Sequence, residues 1–347
     1  LIFNVLFYIF IVVVIIQITY YLFVFGKFSF LKKQEPTPKN IPVSVIICAK
    51  NEAKNLKNFL PSVLEQDYPN FEVVIVNHAS TDDTHHVLND FSRSHKNLKV
   101  VNIDEDLNFF KGKKFPLSIG IKSASHEILL LTDADCKPES NQWIKQMVSN
   151  YDANTEIILG YGPYSKGESF LNKIIRYDTF MIALQYFSFA ICKLPYMGVG
   201  RNLSYRKSLF LRNKGFTSHY GISSGDDDLF IMQASNKANT KIELNSSSFM
   251  YSEPKPTFKS WITQKQRHLS TGAEYPLLFK ILLGTYSISH LLLYISFIIL
   301  LANNVLVVPS IILFVIYLTI RFIIQKNALS KLGEGHLLLF SLFFQYF

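Results

Sequence analysis

The sequence predicts an α/β fold in which helices wrap a mostly parallel sheet, with apolar segments at both ends of the chain. Short β-branched apolar runs alternate with amphipathic helical patterns between residues 43 and 131, which is typical of a parallel sheet connected by helices. The runs are apolar on both faces, as in strands covered on both sides. Both ends of the chain hold stretches of about 20 apolar residues, long enough to cross a bilayer.

Four strands are predicted within the α/β region, at 43–48, 71–76, 98–103 and 127–131. A helical pattern at 52–64 places its apolar side chains on one face, and another surrounds residues 115–124. Ser80 followed by Asp83 resembles a capping box that opens a third helix. In such sheets ligands bind at the carboxyl ends of the strands. We therefore expect the chemistry at that edge.

The ends of the chain predict membrane spans. The predicted segments are a transmembrane anchor (1–26), a linker (27–42), the α/β domain (43–275), two spanning helices (281–301 and 305–324) and a terminal apolar segment (336–347). No basic region precedes the first segment and no small-residue cleavage site follows it, so an anchor fits better than a signal peptide. The terminal segment is a further span or an interfacial helix, and the sequence leaves that choice open.

Basic residues near the ends of the spans predict the orientation. Lysines cluster after the first span, and Arg321, Lys326 and Lys331 accompany the last one. Because basic residues favour the cytoplasmic side, we expect the α/β domain in the cytoplasm, in a membrane of the bacterial inner-membrane type. Contact with membrane lipids accounts for the net charge of +9, and no basic stripe predicts a nucleic-acid partner. The three cysteines lack disulfide or metal-ligand spacing and suit a reducing compartment.

The sequence Thr132-Asp133-Ala134-Asp135 ends the fourth predicted strand. Side chains two apart on an extended chain point the same way, so Asp133 and Asp135 can share one target. A divalent cation removes the repulsion between two carboxylates, and hard cations prefer oxygen ligands. The functional interpretation is Mg²⁺ or Mn²⁺ bound by these carboxylates and a diphosphate. The alternative is a pair of loop carboxylates that cap the next helix.

Three consecutive carboxylates, Asp226, Asp227 and Asp228, precede an apolar helical run. They are candidates for a general base that deprotonates a hydroxyl group. The alternative is a helix start, where acidic residues are favoured electrostatically.

Two basic groups carry weaker indications. Gln264 and Arg267 are three residues apart and share a helical face, which could hold a phosphate or an acceptor chain. A basic helix ahead of a membrane span also fits a lipid-facing surface. Lys113 and Lys114 are candidates for contact with a donor phosphate, with a solvated surface as the alternative. The apolar stretch 180–192 is too short to span and is predicted to be an interfacial or core helix.

Taken in order, these segments resemble glycosyltransferase family 2, the lipid-linked and processive synthase type with a GT-A, Rossmann-like fold. The resemblance covers residues 43–272, and it is carried by seven landmarks, at 45–52 (VIICAKNE), 76–82 (VNHASTD), 112–114 (GKK), 132–136 (TDADC), 200–206 (GRNLSYR), 226–228 (DDD) and 264–267 (QKQR).

The resemblance implies a role for each landmark position. These roles are the nucleotide base and ribose at Ala49 and Glu52, the metal and donor diphosphate at Asp133 and Asp135, the catalytic base at Asp226 with Asp227 left open, and the acceptor and diphosphate at Gln264 and Arg267. Two positions depart from the family. His78, with Asn77, stands where an Asp usually contacts the donor base, and His268 replaces the Trp of the Gln-Xaa-Xaa-Arg-Trp element.

The resulting hypothesis is an inverting, metal-dependent glycosyltransferase. It would move a sugar from a nucleotide-diphosphate sugar to a lipid-linked or growing glycan acceptor, with single transfer slightly preferred to processive synthesis. The rival is a catalytically silent, membrane-tethered homologue that acts as a binding or scaffold protein. His78 and His268 favour that rival, whereas the full set of carboxylates argues against it. The sequence does not name the sugar or the acceptor.

Overall fold

A computed structural model describes residues 2–32, 37, 39–105 and 112–342. The chain divides into two compact units, one made of Leu1–Lys32 with Tyr275–Tyr346 and the other of Lys33–Glu274 with Phe347. The α-helices are α1 Ile2–Thr19, α2 Gly26–Ser29, α3 Ala53–Leu64, α4 Thr84–Ser94, α5 Lys114–Ser123, α6 Trp143–Ser149, α7 Phe170–Ile191, α8 Lys207–Arg212, α9 Asp228–Ala234, α10 Phe258–Leu269, α11 Leu277–Ala302 and α12 Val307–Lys331.

The larger unit is built on a seven-stranded sheet. The strands of this unit, in the sheet and outside it, are β1 Val43–Ala49, β2 Phe71–His78, β3 Leu98–Ile103, β4 Ile128–Asp133, β5 Cys136–Pro138, β6 Ile157–Leu159, β7 Leu203–Arg206, β8 Thr240–Ile242 and β9 Met250–Ser252. The order in the sheet is β3-β2-β1-β4-β7-β6-β8, and β5 pairs with β9 outside it. The first four strands are parallel, whereas β7 runs antiparallel to β4 and β6. The predicted α/β class and the four predicted strands are confirmed.

Buried aliphatic side chains hold this sheet together. Val45, Ile47, Val73 and Ile75 point to one face and are at most 2 % exposed. Helices α3 and α6 cover that face, with side chains such as Trp143 in the same core. Burying a side chain of this size contributes about 1.5–3 kcal/mol each, so the sheet is a rigid base for the loops at its edges.

Two local predictions concern the residue Ser80 and the apolar stretch 180–192. The predicted capping box at Ser80 is wrong, because α4 begins at Thr84 with Asp83 before it and without a side-chain cap bond. The Ser80 hydroxyl instead accepts a hydrogen bond from the backbone N–H of Asn51 at 3.0 Å. The apolar stretch 180–192 belongs to the 22-residue helix α7, and its side chains are largely buried, which favours the core-helix alternative.

Among its described residues, the smaller unit contains three helices long and apolar enough to span a membrane, Val5–Ser29, Leu277–Ala302 and Val307–Lys331. The first continues from α1 through a π-helical segment, Tyr20–Phe25, into α2, and so passes the predicted end of the anchor at residue 26. Buried hydrogen bonds join α1 to α11, where the Gln17 amide donates to Ser289 Oγ and to the Tyr286 carbonyl at 2.8 Å each. The terminal apolar segment shows two short 3₁₀ turns up to Leu342, and residues 343–347 lie outside the described residues.

Candidate active site

The carboxyl ends of the parallel strands form the edge where the site was expected. Strand β4 ends at Asp133, which pairs in register with Cys48 of β1. The chain then turns at Ala134 and Asp135 and enters β5 at Cys136. The expected extended spacing of Asp133 and Asp135 is therefore wrong, since a turn joins them. The turn nevertheless brings both carboxylates to the same place.

The acidic turn offers a set of metal ligands. Asp133, Asp135 and Cys136 each contribute one ligand atom, and these atoms lie within 4.8 Å of one another. Burial, followed by the charge of Asp133, raises the pKa of Asp135, so a nearby cation would stabilise its ionised form. Carboxylate oxygens suit Mg²⁺ and Mn²⁺, which bind through one or two carboxylates together with substrate phosphates. Cys136 was not among the predicted ligands, because only the turn brings its thiol beside Asp135, at 3.4 Å.

Lys113 lies between the acidic turn and the second carboxylate cluster. Its ammonium group is 2.8 Å from Asp133 Oδ1 and 3.2 Å from Asp226 Oδ2. Burial opposes this charge, but Asp133, Asp226 and Asp227 hold the pKa of Lys113 well above its usual value. Asp133 therefore already has a cationic partner in Lys113. A phosphate contact for Lys113 stays a prediction.

The three consecutive carboxylates point in different directions. Asp227 accepts hydrogen bonds from the backbone N–H groups of Gly200, at 2.9 Å, and of Asp228, at 2.8 Å. Asp228 accepts from the Thr271 hydroxyl at 2.5 Å and from the next backbone N–H at 2.8 Å. Asp226 instead faces Lys113. Burial raises the pKa of Asp226, Lys113 only partly offsets this, and the charges of Asp227 and Asp133 add to the increase.

The buried side chain of Lys114 holds the segment ahead of Asp226 in place. Lys114 is buried, and its ammonium donates to the backbone carbonyls of His219, at 2.6 Å, and Ile222, at 2.9 Å. Lys114 thus fixes the loop and is not a phosphate contact. Gly225 has φ +94°, a conformation that residues with a Cβ atom rarely adopt. This backbone geometry places Asp226 at the edge of the sheet.

The predicted donor-binding residues lie at the ends of β1 and β2. Ala49 ends β1, and His78 ends β2 with its ring 6.4 Å from that of Phe115. Glu52 immediately precedes α3 and accepts a hydrogen bond from the Asn55 amide at 2.6 Å. Burial raises the pKa of Glu52, and the charges of Asp135 and Asp133 add to the effect. These residues therefore share one edge with the acidic turn.

The two loops that carry these residues brace each other. The Asn51 side chain accepts from the Thr81 backbone N–H at 2.8 Å, and the Glu52 backbone N–H donates to Thr84 Oγ1 at 2.9 Å. Asn51 and Ala79 both have positive φ angles, 57° and 47°. Such conformations cost free energy and occur mainly where the surroundings enforce them. The cross-bracing holds the two loops together at this edge of the sheet.

Helix α10 presents Gln264 and Arg267. The Gln264 amide donates to the Tyr164 hydroxyl at 3.3 Å, and the Arg201 guanidinium lies 4.5 Å from the centre of the Tyr164 ring. Arg201 also donates through Nε to the Gly162 carbonyl at 2.8 Å. Burial opposes the ionisation of Asp133, but Lys113, Arg201 and Arg267 together lower the pKa of that group. Arg201 and Tyr164 were not predicted as site residues, although Arg201 lies in a quoted landmark.

A partly buried ion pair anchors α10 to α7. The Lys265 ammonium contacts both oxygens of Asp178, at 2.7 and 2.9 Å, and the two side chains are only 19 % and 10 % exposed. Lys265 lies between Gln264 and Arg267 in the sequence, so this pair fixes the orientation of both. Asp178 carries no local signal that would have predicted the contact.

Comparison with known families identifies the class of protein. Residues 44–212 match the model of glycosyl transferase family 2, and residues 139–345 match that of glycosyl transferase family group 2. The chain belongs to glycosyltransferase family 2, as the sequence landmarks predict.

Among its relatives, the glycosyltransferase AglE of Haloferax volcanii is 33 % identical over 120 residues, 34 % of this chain and 38 % of the relative. The poly-β-1,6-N-acetyl-D-glucosamine synthase of Staphylococcus epidermidis is 34 % identical over 120 residues, 33 % of this chain and 27 % of the synthase. The probable glycosyltransferase YdaM of Bacillus subtilis is 23 % identical over 79 % of this chain and 67 % of its own length. The chain thus spans under half the length of the first two.

A solved structure shares the fold. The mannosyltransferase PcManGT of Pyrobaculum calidifontis, in complex with GDP-Man and Mn²⁺, superposes with a TM-score of 0.58 at 20 % identity, covering 96 % of each chain. At this identity the likeness concerns the fold alone, and it confirms the predicted GT-A class.

Proposed function

We propose that this chain is an inverting, metal-dependent glycosyltransferase that moves a sugar from a nucleotide-diphosphate sugar to a lipid-linked or growing glycan acceptor. One observation carries the proposal. Two carboxylates suited to a cation, Asp133 and Asp135, lie at the sheet edge beside a third carboxylate, Asp226. Asp227 and Asp228 are engaged in hydrogen bonds with neighbouring N–H and hydroxyl groups, whereas Asp226 faces Lys113. A solved structure with the same fold suggests the substrate class, since PcManGT is in complex with GDP-Man and Mn²⁺.

Asp226 has one role in this proposal, and Asp133 and Asp135 share another. Asp226 accepts the proton of an acceptor hydroxyl as its oxygen attacks the anomeric carbon. The bond from that carbon to the diphosphate oxygen breaks on the opposite face, so the anomeric configuration inverts. Asp133 and Asp135 would hold Mg²⁺ or Mn²⁺, which when bound neutralises the charge that develops on the leaving nucleoside diphosphate.

The remaining predicted residues surround these groups. Ala49, Glu52 and His78 would line the base and ribose pocket, because Ala49 ends β1, Glu52 precedes α3 and His78 ends β2 at the same edge. Gln264 and Arg267 would contact the acceptor or the diphosphate, held by the anchored helix α10. Lys113 would meet the donor phosphates.

Product formation tests the proposal directly. Membranes containing the full chain are incubated with UDP-, GDP- and other nucleotide-linked sugars and with lipid-linked and glycan acceptors, and release of nucleoside diphosphate is measured. We expect one donor to give acceptor-dependent release coupled to a glycosylated product. A chain that binds a nucleotide sugar but forms no product with any acceptor would instead be the catalytically silent homologue.

We further propose that residues 27–280 face the cytoplasm and that the juxtamembrane lysines contact anionic lipids, because basic residues flank the candidate spans. A cysteine placed at Thr37, in a variant whose native cysteines are serine, should react with a membrane-impermeant maleimide only after cell lysis. A cysteine at Asn303, in the turn between α11 and α12, is the control and should react in intact cells. Labelling of position 37 in intact cells would contradict the orientation.

A further inference from the structure

One ammonium group serves two carboxylates that the proposed reaction uses differently. Lys113 joins Asp133, the candidate metal ligand, at 2.8 Å and Asp226, the candidate base, at 3.2 Å. The three residues come from the start of α5, the end of β4 and the loop before α9. Their side chains are 36 %, 39 % and 9 % exposed, respectively, so a small cation can reach Asp133 from solvent.

The backbone around Lys113 leaves little room beside its ammonium group. A Cβ atom at Gly200 would lie 3.2 Å from Lys113 Nζ and 3.5 Å from an oxygen of each of Asp226 and Asp227. Gly112 has φ +81°, and a Cβ atom there would lie 2.2 Å from the Ser223 carbonyl oxygen. The Gly200 backbone therefore lies close beside the ammonium group, and the Gly112 backbone lies close to Ser223.

We infer that Lys113 competes with the divalent cation for Asp133, and that while it occupies this position it also pairs with Asp226. The inference deepens the proposed function and rests on it. A doubly charged cation and an ammonium group repel each other strongly at the short separation that sharing Asp133 Oδ1 would require. Binding of the cation therefore requires the ammonium to leave Asp133, which the flexible lysine stem permits.

This competition couples donor binding to release of the base. A cation that binds without a nucleotide must displace the ammonium group of Lys113. The ammonium group then loses Asp133 as its ion-pair partner. A cation arriving with a diphosphate brings anionic oxygens to which the displaced ammonium can donate. The chain alone should thus bind the metal weakly, and the donor should strengthen that binding. Asp226 loses its ammonium partner only when the donor is in place.

Metal binding without the donor tests the inference. Mn²⁺ is titrated into the full chain in detergent micelles, with no nucleotide present, and free Mn²⁺ is followed by electron paramagnetic resonance. Lys113→Met should bind Mn²⁺ roughly tenfold more tightly than the wild type, the scale expected when a hydrogen bond between charged groups need no longer be broken. Lys113→Arg, which keeps the charge, should not tighten binding.

Lys137→Met is the matched control for a general loss of positive charge, because Lys137 is exposed on β5 two positions after Asp135. Lys113→Gln is measured alongside Lys113→Met, with thermal melting of both, so that a misfolded variant is recognised. Adding Asp133→Asn to Lys113→Met should remove the gain in affinity.

The outcomes separate the inference from the proposed function. If the wild type binds Mn²⁺ and neither neutral variant tightens that binding beyond the Lys137 control, the competition is absent and the metal site stands. Weaker binding by the folded neutral variants would also overturn the competition. If neither the wild type nor the variants bind Mn²⁺, the metal site of the proposed function fails, and the inference fails with it.

Discussion

Replacing Asp226 with asparagine is expected to lower turnover roughly 10²–10⁴-fold, the range typical of the loss of a general base. Asparagine keeps the size of the side chain and can still form hydrogen bonds, but it does not accept a proton at neutral pH. Lys113 retains Asp133 as a partner at 2.8 Å, so the fold should persist. Turnover, donor affinity and the melting temperature are measured together, and only turnover should fall.

The neighbouring aspartates provide matched controls. Asp227 bonds to two backbone N–H groups, and Asp228 bonds to Thr271 and to one backbone N–H. Asp227→Asn and Asp228→Asn should therefore cost about 1 kcal/mol of stability, as the loss of a helix cap does, and should keep most of the turnover. Loss of activity in Asp227→Asn alone would move the base by one residue. Normal turnover in all three variants would mean that the cluster only starts α9.

The sequence predicted the part of the fold that local patterns determine. Strands β1 to β4 are apolar on both faces and alternate with amphipathic helices, so periodicity alone identifies them. Strands β6, β7 and β8 have three, four and three residues, too few for a recognisable period. They form because distant segments complete the sheet beyond β4, and the antiparallel direction of β7 depends on that packing.

The site follows the same division. Asp133 and Asp135 could be predicted because residues that follow strands collect at the carboxyl edge of a parallel sheet, and Asp226 because it belongs to a run of three carboxylates ahead of an apolar helical pattern. The partners of these residues could not. Lys113 reaches Asp133 across 20 positions, and Lys265 reaches Asp178 across 87. Such contacts depend on how helices pack against the sheet, which no short pattern in either segment encodes.

Ser80 shows that a residue with the spacing of a helix cap can form a hydrogen bond to a neighbouring loop instead. Ser80 has the spacing of a cap, yet its hydroxyl bonds to Asn51 in the neighbouring loop. The positive φ angles of Asn51 and Ala79 bring the two loops together and make that bond available. Tertiary contact thus replaced the local one, at the edge where the donor pocket is proposed.

Removal of divalent cations should abolish activity, and this is the second large effect that the structure predicts. Stabilisation of the leaving diphosphate by a metal is worth several kcal/mol, which corresponds to a loss of roughly 10²–10⁴ in rate. Activity in EDTA should recover when excess Mn²⁺ or Mg²⁺ is added. The measurement is product formation as a function of free metal concentration.

Asp135→Asn connects this requirement to the acidic turn. Asp135 is the better position to change because Asp133 also contacts Lys113, whereas the change at Asp135 removes one oxygen ligand and leaves that ion pair in place. The variant should need a higher metal concentration for half-maximal activity and should bind the donor less tightly when metal is present. Asp90→Asn is the control, since Asp90 is 77 % exposed in a surface pair with Arg93, and such pairs contribute little. Full activity in chelator, or an unchanged metal requirement in Asp135→Asn, would mean that these carboxylates are structural, because a reaction that depends on a metal is slowed by the loss of the metal or of one of its ligands.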